Sequence, residues 1–133
     1  MRLWLMLLPL MMWAAEPFNH AQHGPLKRPC TTCHAGAETK SKAGRPVAAA
    51  CQTCHVEKVP ETVPMERVYR VPDFVFFSHA RHKGAGCASC HGDMNRTAKV
   101  DAPHRGLKMK DCMDCHKEHR ATLACTACHE LGQ

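Results

Sequence analysis

Five copies of one pentapeptide dominate the chain: Cys30-Thr-Thr-Cys33-His34, Cys51-Gln-Thr-Cys54-His55, Cys87-Ala-Ser-Cys90-His91, Cys112-Met-Asp-Cys115-His116 and Cys125-Thr-Ala-Cys128-His129. All ten cysteines of the 133 residues fall inside these units. C-x-x-C-H is the attachment signature of c-type haem. On one helical turn residues i, i+3 and i+4 share a face, so two thiols reach two vinyl groups while the next imidazole points at iron. The repeat therefore predicts five covalently bound haem c groups.

Other cysteine chemistries fit less of the pattern. Paired C-x-x-C units build zinc sites, a single one forms a redox pair, and ten cysteines in an exported chain can close five disulfides. None of these needs a histidine directly after every second cysteine. All five units have one, and no cysteine is left over.

The chain opens with Met1-Arg2 and an eleven-residue apolar run over residues 3–13. A basic start followed by an apolar run of this length reads as an export signal, too short for a membrane-spanning helix of about 20 residues. Residues 1–15 are predicted to be a signal peptide cleaved near Ala14-Ala15-Glu16. Trp13 stands where a small residue is usual, so an uncleaved anchor is the alternative. Export agrees with haem attachment outside the cytoplasm, and the periplasm is the expected compartment.

A formal charge of +6 would ordinarily point to nucleic acid or a membrane surface. Residues 1–15 contribute only Arg2, so about +5 remains without them, and five haems with two propionates each would bring the ferrous protein to about −5 and the ferric protein near zero. The basic side chains read as propionate partners and solvated surface, and no nucleic-acid partner is expected. Roughly 118 residues, about 24 per haem, cannot bury a conventional core. The expected fold is a small multihaem cytochrome, mostly coil with short α-helices, in which the haems form the core.

An internal repeat divides the chain. Phe18-Asn-His20-Ala-Gln-His23 precedes the first haem unit, and Phe77-Ser-His79-Ala-Arg-His82 precedes the third. This gives a dihaem module over residues 16–58, a connector over 59–70 with Pro60 and Pro64, and a trihaem module over 71–133. The β-branched and aromatic stretch from Val68 to Phe77 is read either as a short strand or hairpin or as apolar packing against a haem. Residues 36–44 form a polar, Lys-rich loop, and Pro46 suits the first turn of a helix delivering Cys51.

Five of the eleven histidines, His34, His55, His91, His116 and His129, are the proximal ligands. His20, His23, His79, His82, His104 and His119 remain, enough for one distal ligand per haem and one spare. Bis-histidine ligation fills both axial positions, which favours electron transfer and disfavours a small-molecule substrate at iron.

The stretch from Phe77 to His129 resembles the trihaem cytochrome c7 members of the class III cytochrome c3 group. It carries F-S-H-x-x-H, C-x-x-C-H, a later A-x-H (Ala102-Pro-His104) and two closely spaced C-x-x-C-H units. The stretch from Phe18 to His55 is similar to the start of that pattern. It departs in lacking a third haem unit and an A-x-H histidine, and the loop between His82 and Cys87 is shorter than that between His23 and Cys30. The resemblance implies that His79 pairs with His91, His82 with His116 and His104 with His129. By the repeat, His20 pairs with His34 and His23 with His55, leaving His119 as a surface residue or an exchange ligand. More loosely, the phrase from Val68 to His79 is similar to multihaem subunits of membrane quinone oxidoreductases of the menaquinone reductase and alternative complex III kind. That likeness implies a docked subunit rather than a free shuttle.

The residues together predict a pentahaem electron-transfer protein, not an enzyme, that relays electrons between redox partner proteins or within a membrane quinone-oxidoreductase complex. The rival is a multihaem reductase with one haem open on its distal side. Pentahaem nitrite reductases replace one C-x-x-C-H histidine with lysine, whereas all five units here keep histidine. Met94, Met109 and Met113 lie near haem units and are read as soft packing rather than as ligands.

Overall fold

The computed structural model describes residues 18–57, 59 and 63–130. The expected export signal lies outside the described residues, as do parts of the expected connector and the last three residues of the expected trihaem module.

Each C-x-x-C-H unit is helical, as i, i+3, i+4 chemistry requires, four as a single turn and the fourth unit within a longer helix. In four of them the histidine N–H donates to the carbonyl of the unit's first cysteine: His34 to Cys30 at 2.9 Å, His55 to Cys51 at 2.9 Å, His91 to Cys87 at 3.0 Å and His129 to Cys125 at 2.9 Å. The first unit is a 3₁₀ turn over Cys30–Thr32. The F-x-H-x-x-H repeat also becomes helical. Helix α1 spans His20–His23, with the Asn19 side chain accepting from the Gln22 N–H as an N-cap. Helix α2 spans Ala48–Gln52 and carries Cys51; its N-cap is Val47, so Pro46 precedes the helix instead of opening its first turn. Helix α3 spans His79–His82 and α4 spans Ala88–His91.

The fourth unit sits in the longest element, α5, over Met109–Glu118. Asp111 starts it by accepting the Lys108 backbone N–H at 2.9 Å. Gly106 makes room for that carboxylate, since a Cβ there would lie 2.3 Å from Asp111 Oδ2. Helix α6 spans Cys125–Cys128.

No strand forms among the described residues. The stretch from Val68 to Phe77 contributes one antiparallel bridge between Val75 and His129, flanked by Phe76 N–H to Cys128 O at 2.8 Å and Glu130 N–H to Phe74 O at 3.3 Å. The strand is cut short because the Val75 N–H turns back onto the Pro72 carbonyl at 2.9 Å, and Pro72 brings no donor of its own. A β-branched run with a Pro-Asp turn inside it cannot sustain a ladder.

Among the described residues no side chain is buried. Phe74 is 59% exposed, Phe76 56% and Val56 99%. This much apolar surface without protein cover forfeits the burial, worth about 25 cal/mol per Å², that normally offsets chain entropy. Among the described residues no helix is long and apolar enough to cross a membrane.

Polypeptide contacts alone therefore leave the described residues without a core. The chain matured without any covalently attached group is expected to show no cooperative thermal transition by far-UV circular dichroism, whereas the mature protein melts cooperatively. A sharp transition in the unmodified chain would show that its own contacts suffice.

Candidate functional site

The imidazoles come together in pairs. His20 and His34 have ring centroids 6.4 Å apart with planes 14° from parallel, and His79 and His91 repeat this at 6.4 Å and 9°. His23 and His55 are 6.2 Å apart at 57°, and His82 and His116 are 6.0 Å apart at 42°. Each pair joins a C-x-x-C-H histidine to one from an F-x-H-x-x-H turn. These distances are too long for ring contact and fit one metal ion between two rings. With metal–nitrogen bonds of ~2.0 Å on each side, the ring centroids would stand about 6.3 Å apart.

Main-chain carbonyls fix how these rings are protonated. His23 Nδ1 lies 3.1 Å from Asn19 O, His34 Nδ1 3.3 Å from Gly44 O, and His79 Nδ1 3.0 Å from Ser41 O. His82 Nδ1 lies 2.8 Å from Ser78 O and His116 Nδ1 2.6 Å from Thr122 O. A carbonyl only accepts, so Nδ1 carries the hydrogen in each ring and Nε2 keeps its lone pair for a metal. Partial burial, then the adjacent His34, lowers the pKa of the half-buried His20. Partial burial, then His79, His34 and His20, lowers that of the half-buried His91. Both shifts favour the neutral, ligating form.

The two phenylalanines of the repeat hold these turns. Phe18 stacks on His23 with centroids 4.6 Å apart and meets His20 edge-on at 4.8 Å. Phe77 does the same with His82 at 4.6 Å and His79 at 4.9 Å. One ring thus walls both imidazoles of each turn and points them apart.

The fifth pair is not brought together in this way. His129 packs on Phe74 at 5.8 Å. His104 lies over Gly92, where a Cβ would come 2.9 Å from its Nδ1. Its backbone N–H donates to the Tyr69 hydroxyl at 2.9 Å, and that hydroxyl donates to Cys90 O at 3.2 Å. The Tyr69 ring sits 4.6 Å from His91. Tyr69 so fastens the connector and the His104 segment to the third unit, a role with no signal in the sequence beyond its being the chain's one tyrosine. His119 closes α5 as its C-cap.

All ten cysteine sulfurs are unpaired, and none is buried. Among the described residues no three ligating side chains converge on one point. A cleft of about 270 Å³ beside the first unit is lined by Cys33, Pro46, Val47 and Ala50 on its apolar side and by Lys40, Lys42 and Arg45. Free thiols, facing imidazoles and an apolar cleft with a basic edge fit a flat, hydrophobic, doubly carboxylated macrocycle held through iron. Cys30, Cys33, Cys51, Cys54, Cys87, Cys90, Cys112, Cys115, Cys125 and Cys128 would supply its thioether links.

No family model matches the chain. It is 32% identical over 122 residues to the menaquinone reductase, multiheme cytochrome c subunit, of Nitratidesulfovibrio vulgaris (strain Hildenborough), an alignment covering 79% of this chain and 58% of the relative. The chain is similar to a multihaem cytochrome c. It spans a little over half the length of that relative. The likeness agrees with covalently bound haem c.

Phe77→Ala is expected to cost about 1–2 kcal/mol, the sum of two aromatic contacts, and to lower the midpoint of thermal unfolding accordingly. The neighbouring Phe76→Ala, which removes a side chain 56% exposed, should cost less. Equal midpoints for the two variants would show that Phe77 does not hold the His79 and His82 turn.

Proposed function

We propose that the chain is an exported pentahaem c-type cytochrome of the class III kind that passes single electrons as a docked subunit of a membrane quinone oxidoreductase. The observation that carries this reading is the set of four imidazole pairs at 6.0–6.4 Å, each joining a C-x-x-C-H histidine to a histidine from elsewhere in the chain. The similarity to a menaquinone reductase cytochrome subunit supports the docked role.

Bound haem iron supplies one-electron chemistry, cycling between ferrous and ferric forms. The chain's part is to hold both axial positions, set the spacing of the sites and tune each potential. Carbonyls on Nδ1 make the ligand rings more basic. Lys40, Lys42 and Arg45 are placed to pair with propionates. With both axial positions filled there is no place for a substrate, which separates a relay from a reductase. His20, His34, His23, His55, His79, His91, His82 and His116 are assigned as ligands of four sites, and His104 with His129 as those of the fifth.

One observation favours the second reading, a reductase with one open site. His129 faces Phe74, and among the described residues no histidine ring stands about 6 Å across from it. The two readings differ in their response to carbon monoxide. The reduced relay should bind none, whereas stoichiometric binding at the haem held by Cys125 and Cys128 would support the reductase.

Alkaline pyridine haemochrome analysis and intact mass are expected to give five haems per chain, and three or fewer in matured protein would refute the count. His82→Ala should turn the haem at Cys112 and Cys115 high-spin while the one at Cys87 and Cys90 stays low-spin, as read from assigned paramagnetic NMR. A change at Cys87, or none at either site, would overturn the crossed ligand assignment.

A further inference from the structure

Two main-chain hydrogen bonds are equivalent in a way local packing does not require. Ala21, the second residue of α1, donates its N–H to Thr97 O at 3.1 Å. Ala80, the second residue of α3, donates to Lys40 O at 3.0 Å. Thr97 lies six residues past His91, and Lys40 lies six residues past His34. Each F-x-H-x-x-H turn therefore docks on the loop that follows the other segment's C-x-x-C-H unit, not on the loop that follows its own. Reciprocal exchange of the same contact is the property of a two-fold axis.

The contact is close at both ends. His79 adds its backbone N–H and its Nδ1, both 3.0 Å from Ser41 O. At the other end Gly24 lies directly after α1, where a Cβ would stand 2.1 Å from the Asn95 carbonyl oxygen. The exchange also brings the two site pairs together. Among the groups acting on His91 are its own partner His79 and, from the other segment, His34 and His20. The Cys30 side chain lies within hydrogen-bonding reach of Cys87.

We propose that residues 18–57 and 71–130 are two modules related by an internal pseudo-two-fold axis, and that the sites built on Cys30–His34 and Cys87–His91 adjoin across it as the junction through which electrons pass between modules. This rests on the haem reading above. The step is a single electron leaving the His20/His34 site, which is oxidised, for the His79/His91 site, which is reduced, or the reverse. No bond or proton changes hands. The electron enters from, and leaves to, partner redox groups at the other sites.

Hydrogen exchange on the haem-loaded protein tests the axis. The Ala21 and Ala80 amides are both expected to exchange at least ~100-fold more slowly than an open amide. Free exchange at either one would overturn the reciprocal latch. Gly24→Ala, with Gly84→Ala as the control because nothing lies within 4 Å of a Cβ there, tests the junction. Gly24→Ala should speed exchange at Ala21 by ~10-fold or more and remove at least about half of the exciton couplet in visible circular dichroism. The control should match the parent protein. A parent protein with haem but no couplet, or a couplet unchanged in Gly24→Ala, would overturn the junction while leaving the haem reading intact. A protein without haem would overturn the reading itself.

Discussion

One turn of helix, closed by a histidine N–H on the carbonyl of a cysteine four residues earlier, is the constraint on which the rest depends. It sets two thiols and an imidazole on one face at a spacing no other part of the chain competes to define. Because no described residue is buried, five such turns cannot be held by packing against one another. On the function proposed above they are held by what they bind, and the fold is then a consequence of ligation, in the way that small metal domains fold only with their metal.

The distal side follows the same economy. A turn of four residues presents two histidines three positions apart, and a single phenylalanine directs them to different partners: Phe77 sends His79 toward His91 and His82 toward His116. Backbone carbonyls take the Nδ1 hydrogen of His23, His34, His79, His82 and His116, so each of these five rings offers one nitrogen and has one orientation. Two phenylalanine rings and a set of main-chain carbonyls thus do the positioning of the imidazoles. This is how a chain with four phenylalanines and one tyrosine can order so many imidazoles.

Much of this was legible in the sequence because covalent haem attachment has a rigid spacing. The C-x-x-C-H turns, the repeated Phe-x-His-x-x-His turn and the absence of a protein core among the described residues follow from residue order alone, and four pairs of rings lie 6.0–6.4 Å apart in the combinations the resemblance and the repeat imply. What was not legible depends on the main chain. The carbonyls of Ser41, Gly44 and Thr122 leave no mark in composition, and neither does the reciprocal contact of Ala21 with Thr97 and Ala80 with Lys40. The run from Val68 to Phe77 has strand composition but is turned by Pro72 and Asp73 after a single bridge. His104 is drawn to Gly92 and Tyr69, contacts that no motif announces.

The central claim is that paired imidazoles hold each iron. Near-infrared magnetic circular dichroism of the fully ferric protein reports axial ligands directly, since bis-imidazole, imidazole–methionine and high-spin haem give separate charge-transfer bands. The account predicts bis-imidazole intensity equal to the full haem content. A methionine-ligated or high-spin band accounting for one or more haems would contradict it.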